Sequence, residues 1–107
     1  MDALRSVTDS DFDAAVVSNP RPVIVEYWAP WCGPCRQVGP VLEAIAAEIA
    51  DRADVVKLNI DENPQVVQRY GIMLAPTIEL FSGGQVVRQV IGAKSKSALM
   101  REFEEFI

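Results

Sequence analysis

The sequence predicts a small three-layer α/β domain: a mixed central sheet with helices on both faces. Three observations predict it. Runs of apolar, β-branched residues alternate with stretches of helical periodicity. Two of those runs are joined through a helix, which calls for a right-handed crossover and a parallel pair. Two others flank a Gly-Gly turn, which calls for an antiparallel hairpin. The 107 residues set the scale. They suggest one domain, residues 1–107, by the usual prior of roughly 100–200 residues per domain.

Taken in order, a short strand is expected near Leu4–Val7. Thr8 then caps a first helix, with Asp11 three residues on in a capping-box spacing. Phe12, Ala15 and Val16 share a face of it, and Asn19-Pro20 ends it. Val23–Trp28 reads as a central strand buried on both faces. A long helix runs from about Pro34 to Ala50, with Val38, Leu42, Ile45 and Ile49 as its buried stripe and Pro40 as an internal kink. Asp54–Ile60 holds the next strand. Asn63-Pro64 opens a short helix as N-cap and first residue, and Gly71 closes it. Thr77–Phe81 and Val86–Ile91 form the hairpin around Ser82-Gly83-Gly84-Gln85. A last helix starts near Ser95 and turns Leu99, Phe103 and Phe106 inward.

Composition narrows the chemistry. Apolar residues make up 50% and charged residues 23%, the balance of a globular chain. There are two cysteines and no histidine, so catalysis by Ser-His-Asp or Cys-His pairs is excluded. A four-cysteine or histidine-ligated zinc site is excluded as well, and no metal site is expected. The net charge of −5, with basic residues scattered, argues against nucleic acid and against an anionic membrane surface. No apolar run reaches the ~18 residues a membrane span needs. Met1-Asp2-Ala3-Leu4-Arg5 has neither a basic nor an apolar leader character, and a cytoplasmic protein is expected.

Cys32-Gly33-Pro34-Cys35 stands where the first central strand meets the long helix. There the unpaired N–H groups and the positive end of the helix dipole favour an anion. A thiolate is such an anion, and it is the species that attacks disulfides. Cys35, three residues on, lies on the same side of the first turn. Pro34 enters the helix without losing a needed donor. Three plainer readings compete. A structural disulfide would close only a tiny loop and constrain the unfolded chain weakly. Half of a metal site would require a dimer. Inert buried thiols fit poorly beside a Gly-Pro turn flanked by Trp28 and Trp31. CxxC beside a βαβ pattern favours redox chemistry.

Trp28-Ala29-Pro30-Trp31-Cys32-Gly33-Pro34-Cys35 resembles the active-site segment of the thioredoxin family. The likeness continues through Pro40, Lys57–Asp61, Tyr70-Gly71-Ile72, Pro76-Thr77 and Gly92-Ala93, in family order and with family spacing. The resemblance implies a thioredoxin fold, with a mixed sheet of about five strands flanked by four helices. It implies a protein-disulfide reductase in which Cys32 attacks a substrate disulfide and Cys35 resolves the mixed disulfide. It implies a cis Pro76 beside the disulfide, and Ala75 offering its backbone to an extended substrate segment. Trp31, Gly33, Pro34, Ala75, Gly92 and Ala93 would form the docking face. No cofactor beyond the Cys32–Cys35 pair is implied. Recharging would fall to an NADPH-dependent thioredoxin reductase, and the protein would work as a monomer.

Two departures from the family pattern stand out. Glu26 replaces the usual Asp in the central strand. Either it accepts the proton of Cys35, with Lys57 as its charge partner, or the two form a satisfied ion pair, or Lys57 reaches out to solvent. Met73, Leu74 and Ala75 replace smaller, charged or β-branched residues. Met73 and Leu74 read either as core or as a more apolar docking rim. Beside the reductase reading stands a thioredoxin-fold binding or chaperone-like subunit, or a specialised paralogue with an altered substrate range. An oxidase or isomerase is a weaker third, since Pro34 rather than His precedes Cys35.

Overall fold

A computed structural model describes residues 4–107. Met1–Ala3, part of the stretch read above for leader character, lie outside the described residues. The strands are β1 (Arg5–Ser6), β2 (Val23–Trp28), β3 (Asp54–Asn59), β4 (Thr77–Ser82) and β5 (Gln85–Ile91). The helices are α1 (Gly33–Glu48), α2 (Pro64–Tyr70) and α3 (Lys96–Phe103), preceded by one helical turn at Asp13–Val17. The five strands lie in the order β1-β3-β2-β4-β5. β2 is the seam of the mixed sheet. It runs parallel to β3 and antiparallel to β4, and so joins a crossover half to a hairpin half.

Because strand residues alternate faces, β2 divides the core. Ile24 faces a cluster with Val38, Leu42, Ile45, Leu99 and Phe103, from α1 and α3. Val23, Val25 and Tyr27 face the other, with Phe12, Val16, Val66 and Ile72. Phe12, Val16, Val38, Leu42, Ile45, Leu99 and Phe103 are among the positions the helical periodicities select. The hairpin turns at Gly83 and Gly84, with φ of 61° and 81°. Two consecutive left-handed residues give the turn whose twist suits paired strands. A Cβ on Gly84 would also stand only 2.9 Å from the Val17 carbonyl oxygen.

Three local expectations are revised. The first helix is one wide turn, closed by Ser18 N–H donating to Asp13 O at 2.8 Å. Asp11 reaches back as a capping box requires, accepting from Thr8 N–H at 2.7 Å, while Thr8 Oγ1 lies 2.9 Å from Ser10 Oγ. Asn63 precedes α2 but makes no side-chain cap bond. Its Oδ1 accepts from Asp9 N–H instead. Asp9 supplies the cap from across the molecule, accepting from Gln65 N–H at 3.1 Å and Val66 N–H at 2.9 Å. α1 continues through Pro40, whose ring lies on the exposed side, and closes at Glu48, two residues before the expected end.

Candidate active site at the start of helix α1

β2 ends at Trp28, and the chain turns at once into α1. Cys32 is the N-cap residue, with Pro34 inside the first turn. Its Sγ accepts from the Cys35 N–H at 3.2 Å, so the sulfur sits on one of the orphan donors of the helix start. Cys32 and Cys35 are joined as a disulfide, with Cα atoms 5.3 Å apart. The inert-thiol reading is thereby set aside. Both cysteines are buried in a small cluster with Ala29, against which Trp28, Ile60 and Ala75 pack. Beside them lies a cavity of ≈ 390 Å³ bordered by Trp28, Pro30, Arg36 and Pro40 as well as both cysteines.

The second loop of the site comes from the start of β4. The Ala75–Pro76 bond is cis, and Pro76 is buried. Ala75 meets the disulfide cluster directly. A third loop follows β5, where Gly92 N–H donates to Pro76 O at 2.9 Å. Gly92 has φ of 97°, and a Cβ there would meet nothing within 4 Å. Its backbone conformation, not a close approach of loops, calls for glycine. Gly33 and Pro34 are exposed, as is Ala93. Trp31 is 66% exposed, and its Nε1–H donates to Asp61 Oδ2 at 3.0 Å. Asp61 therefore holds the indole in place, a role the sequence reading had not given it.

Glu26 and Lys57 are register partners on adjacent parallel strands, so their side chains share a face. That face is the one covered by α1, whose buried side carries Cys35. Glu26 is fully buried. Its carboxyl is pushed up to about 7, mainly by loss of solvent, opposed by the Lys57 charge and reinforced by Glu43. No described residue donates a hydrogen bond to either of its oxygens. Lys57 does not reach out to solvent; it is buried, with Nζ 5.5 Å from the centroid of the Trp28 ring.

Exposure decides between the two readings of Met73 and Leu74. Met73 and Leu74 are not core residues; they are 88% and 57% exposed. Tyr27 does more than pack. Its hydroxyl donates to Glu79 Oε1 at 2.8 Å, in the interior on the opposite face of the sheet. Alternation along the apolar run Thr77–Phe81 put Glu79 on one face but did not reveal that the face is covered. Among the described residues, no three His, Cys, Asp or Glu side chains are grouped so as to hold a metal ion. No helix among them is long and apolar enough to cross a membrane.

A disulfide of the CxxC type at a helix start, under a cis-proline loop and on the same sheet face as a buried acid, defines a thiol–disulfide oxidoreductase. The thioredoxin family model matches residues 3–105. A thioredoxin of Streptomyces clavuligerus is 50% identical over 98 residues, which cover 92% of this chain and 91% of that one. Thioredoxin 1 of a Nostoc species is 48% identical over 107 residues, all of both chains. A bifunctional thioredoxin reductase/thioredoxin of Mycobacterium leprae is 46% identical over 101 residues, 94% of this chain and 22% of that one. The chain belongs to the thioredoxin family, whose members are protein-disulfide oxidoreductases.

Proposed function

We propose that the protein is a reductant of protein disulfides, working as one domain and a monomer in the cytoplasm with no cofactor beyond its own disulfide. The observation that carries this is Cys32 at the helix N-cap, linked to Cys35 and bonded to its N–H. In the reduced protein that donor and the helix dipole stabilise a Cys32 thiolate. The thiolate attacks one sulfur of a substrate disulfide. A mixed disulfide forms and the first substrate thiolate leaves. Cys35 then gives its proton to Glu26 and attacks Cys32 Sγ, releasing the second substrate thiolate and closing the Cys32–Cys35 bond. With a pKa near 7, Glu26 is matched to that transfer at neutral pH, and Lys57 steadies the carboxylate that accepts the proton.

Trp31, Gly33, Pro34, Ala75, Gly92 and Ala93 make the docking face around the sulfur. Ala75 presents its backbone to an extended substrate segment. Two electrons return from an NADPH-dependent thioredoxin reductase. The Mycobacterium leprae relative, which joins reductase and thioredoxin in one chain, supports that pairing. Insulin reduction tests the proposal. With dithiothreitol as electron source, turbidity is expected well ahead of the reagent alone, and Cys32→Ser should remove the acceleration. A wild-type trace matching dithiothreitol alone would sink it.

A further inference from the structure

Beyond the disulfide, the loop before the cis bond borders a second cavity of ≈ 180 Å³. Ile72, Met73, Leu74, Thr77, Gln89 and Ile91 line it. Its rim is the most exposed apolar surface outside Trp31: Met73, Leu74 and Ile91 are 88%, 57% and 48% exposed. No lining residue carries a charge. The two polar ones are already engaged within the protein. Thr77 Oγ1 donates to Leu74 O at 2.6 Å, and Gln89 Nε2 donates to Glu79 Oε2 at 2.9 Å. The wall left to a visitor is therefore largely aliphatic and thioether. An apolar cavity of about 150 Å³ accepts a group the size of benzene, so this one has room for one branched aliphatic or aromatic side chain.

The cavity is continuous with the site. Leu74 lines it, and the next residue, Ala75, packs on the disulfide cluster. Ile91 lines it, and the next residue, Gly92, is bonded to Pro76. A segment laid along residues 73–75 as an added strand points alternate side chains to one side, ~7 Å apart. In that mode the main chain gives affinity and pockets for alternate side chains give selectivity.

We propose that this cavity is a subsite for one uncharged, apolar side chain of the substrate polypeptide, flanking the cysteine under attack. Met73 and Leu74 are then specificity-determining residues, with Met73 adapting to side chains of different shape. The inference rests on the disulfide-reductase reading. It adds that substrates with an apolar flank are preferred.

The test uses peptides that share one intramolecular disulfide and differ by Leu or Ser at one of the three positions on either side of the attacked cysteine. Two neutral residues keep the protein's net charge out of the comparison. At one position Leu should exceed Ser in kcat/KM by roughly tenfold or more, the scale of burying one aliphatic side chain. Met73→Ser and Leu74→Ser should each shrink that preference. Both positions are exposed, so the core is untouched. Equal rates for Leu and Ser at every position, or a preference that survives both substitutions, would overturn the subsite. Failure to reduce any peptide would instead overturn the underlying reductase reading.

Discussion

The sheet carries two buried carboxylates, Glu26 and Glu79, on opposite faces. They differ in their company. Glu79 accepts from the Tyr27 hydroxyl and the Gln89 amide, one bond to each oxygen. Burial holds its pKa above the ordinary carboxylate value, and those bonds offset part of the rise. Among the described residues no donor reaches either oxygen of Glu26, and its carboxyl is left near neutrality. A buried acid that is fully hydrogen-bonded ties strands together. One held by charge alone, on the face that also carries Cys35, is free to trade its proton. Hydrogen-bond satisfaction, rather than burial, separates the structural acid from the chemical one.

The comparison breaks most easily at Glu26. Its folded pKa of about 7 lies above the ordinary 4.5, so the unfolded chain releases this proton first. The native state keeps its full contribution below about 4.5, loses it as pH rises toward 7, and stays flat above. At ~1.4 kcal/mol per unit, the loss is roughly 3 kcal/mol. Glu26→Leu should therefore be more stable than the parent by up to about 3 kcal/mol at pH 8, and not at pH 4. Urea unfolding at the two pH values reads this directly. A gain of the same size at both would deny the buried ionisation.

The kinetic counterpart is Glu26→Gln. Resolution of a preformed mixed disulfide should slow by about 10²-fold and lose its rise through pH 7. An unchanged profile would make Glu26 as structural as Glu79. The mirror experiment is Tyr27→Phe, which leaves Glu79 Oε1 without its donor. A cost of about 1–3 kcal/mol in stability is expected, with the resolution profile unmoved. The smallest effect is expected of Gln89→Ala. Gln89 is exposed, so water can replace its amide, and the loss should stay near ~1 kcal/mol by urea titration. A cost equal to that of Tyr27→Phe would mean that the two bonds to Glu79 are equivalent.

What the sequence made legible was local or periodic. The run Val23–Trp28, the stripe Val38-Leu42-Ile45-Ile49 and the Gly83-Gly84 turn each contain their own instructions, and each stands where expected. Cys32 at a helix start followed from the same logic. The revisions concern partners far apart in the chain. Nothing near Asn63 says that its capping role passes to Asp9. Nothing near Trp31 points to Asp61. Glu79 looks like an exposed strand residue until β2 and β5 bring it Tyr27 and Gln89. Met73 and Leu74 have core-like side chains, but they sit in a loop where periodicity gives no direction.

The cap that Asp9 lends to α2 bears on how the molecule opens. A helix of seven residues is too short to hold itself together in water. Its first amides, at Gln65 and Val66, are closed by a carboxylate more than fifty residues away in the chain. Those two amides are expected to exchange with solvent when Asp9 lets go, rather than whenever a helix end frays, and amide hydrogen exchange would show it. α2 leads through Gly71 into Met73, Leu74 and the cis-proline loop. Asp9 thus ties the outer turn to the helix that leads, through Gly71, into the substrate face.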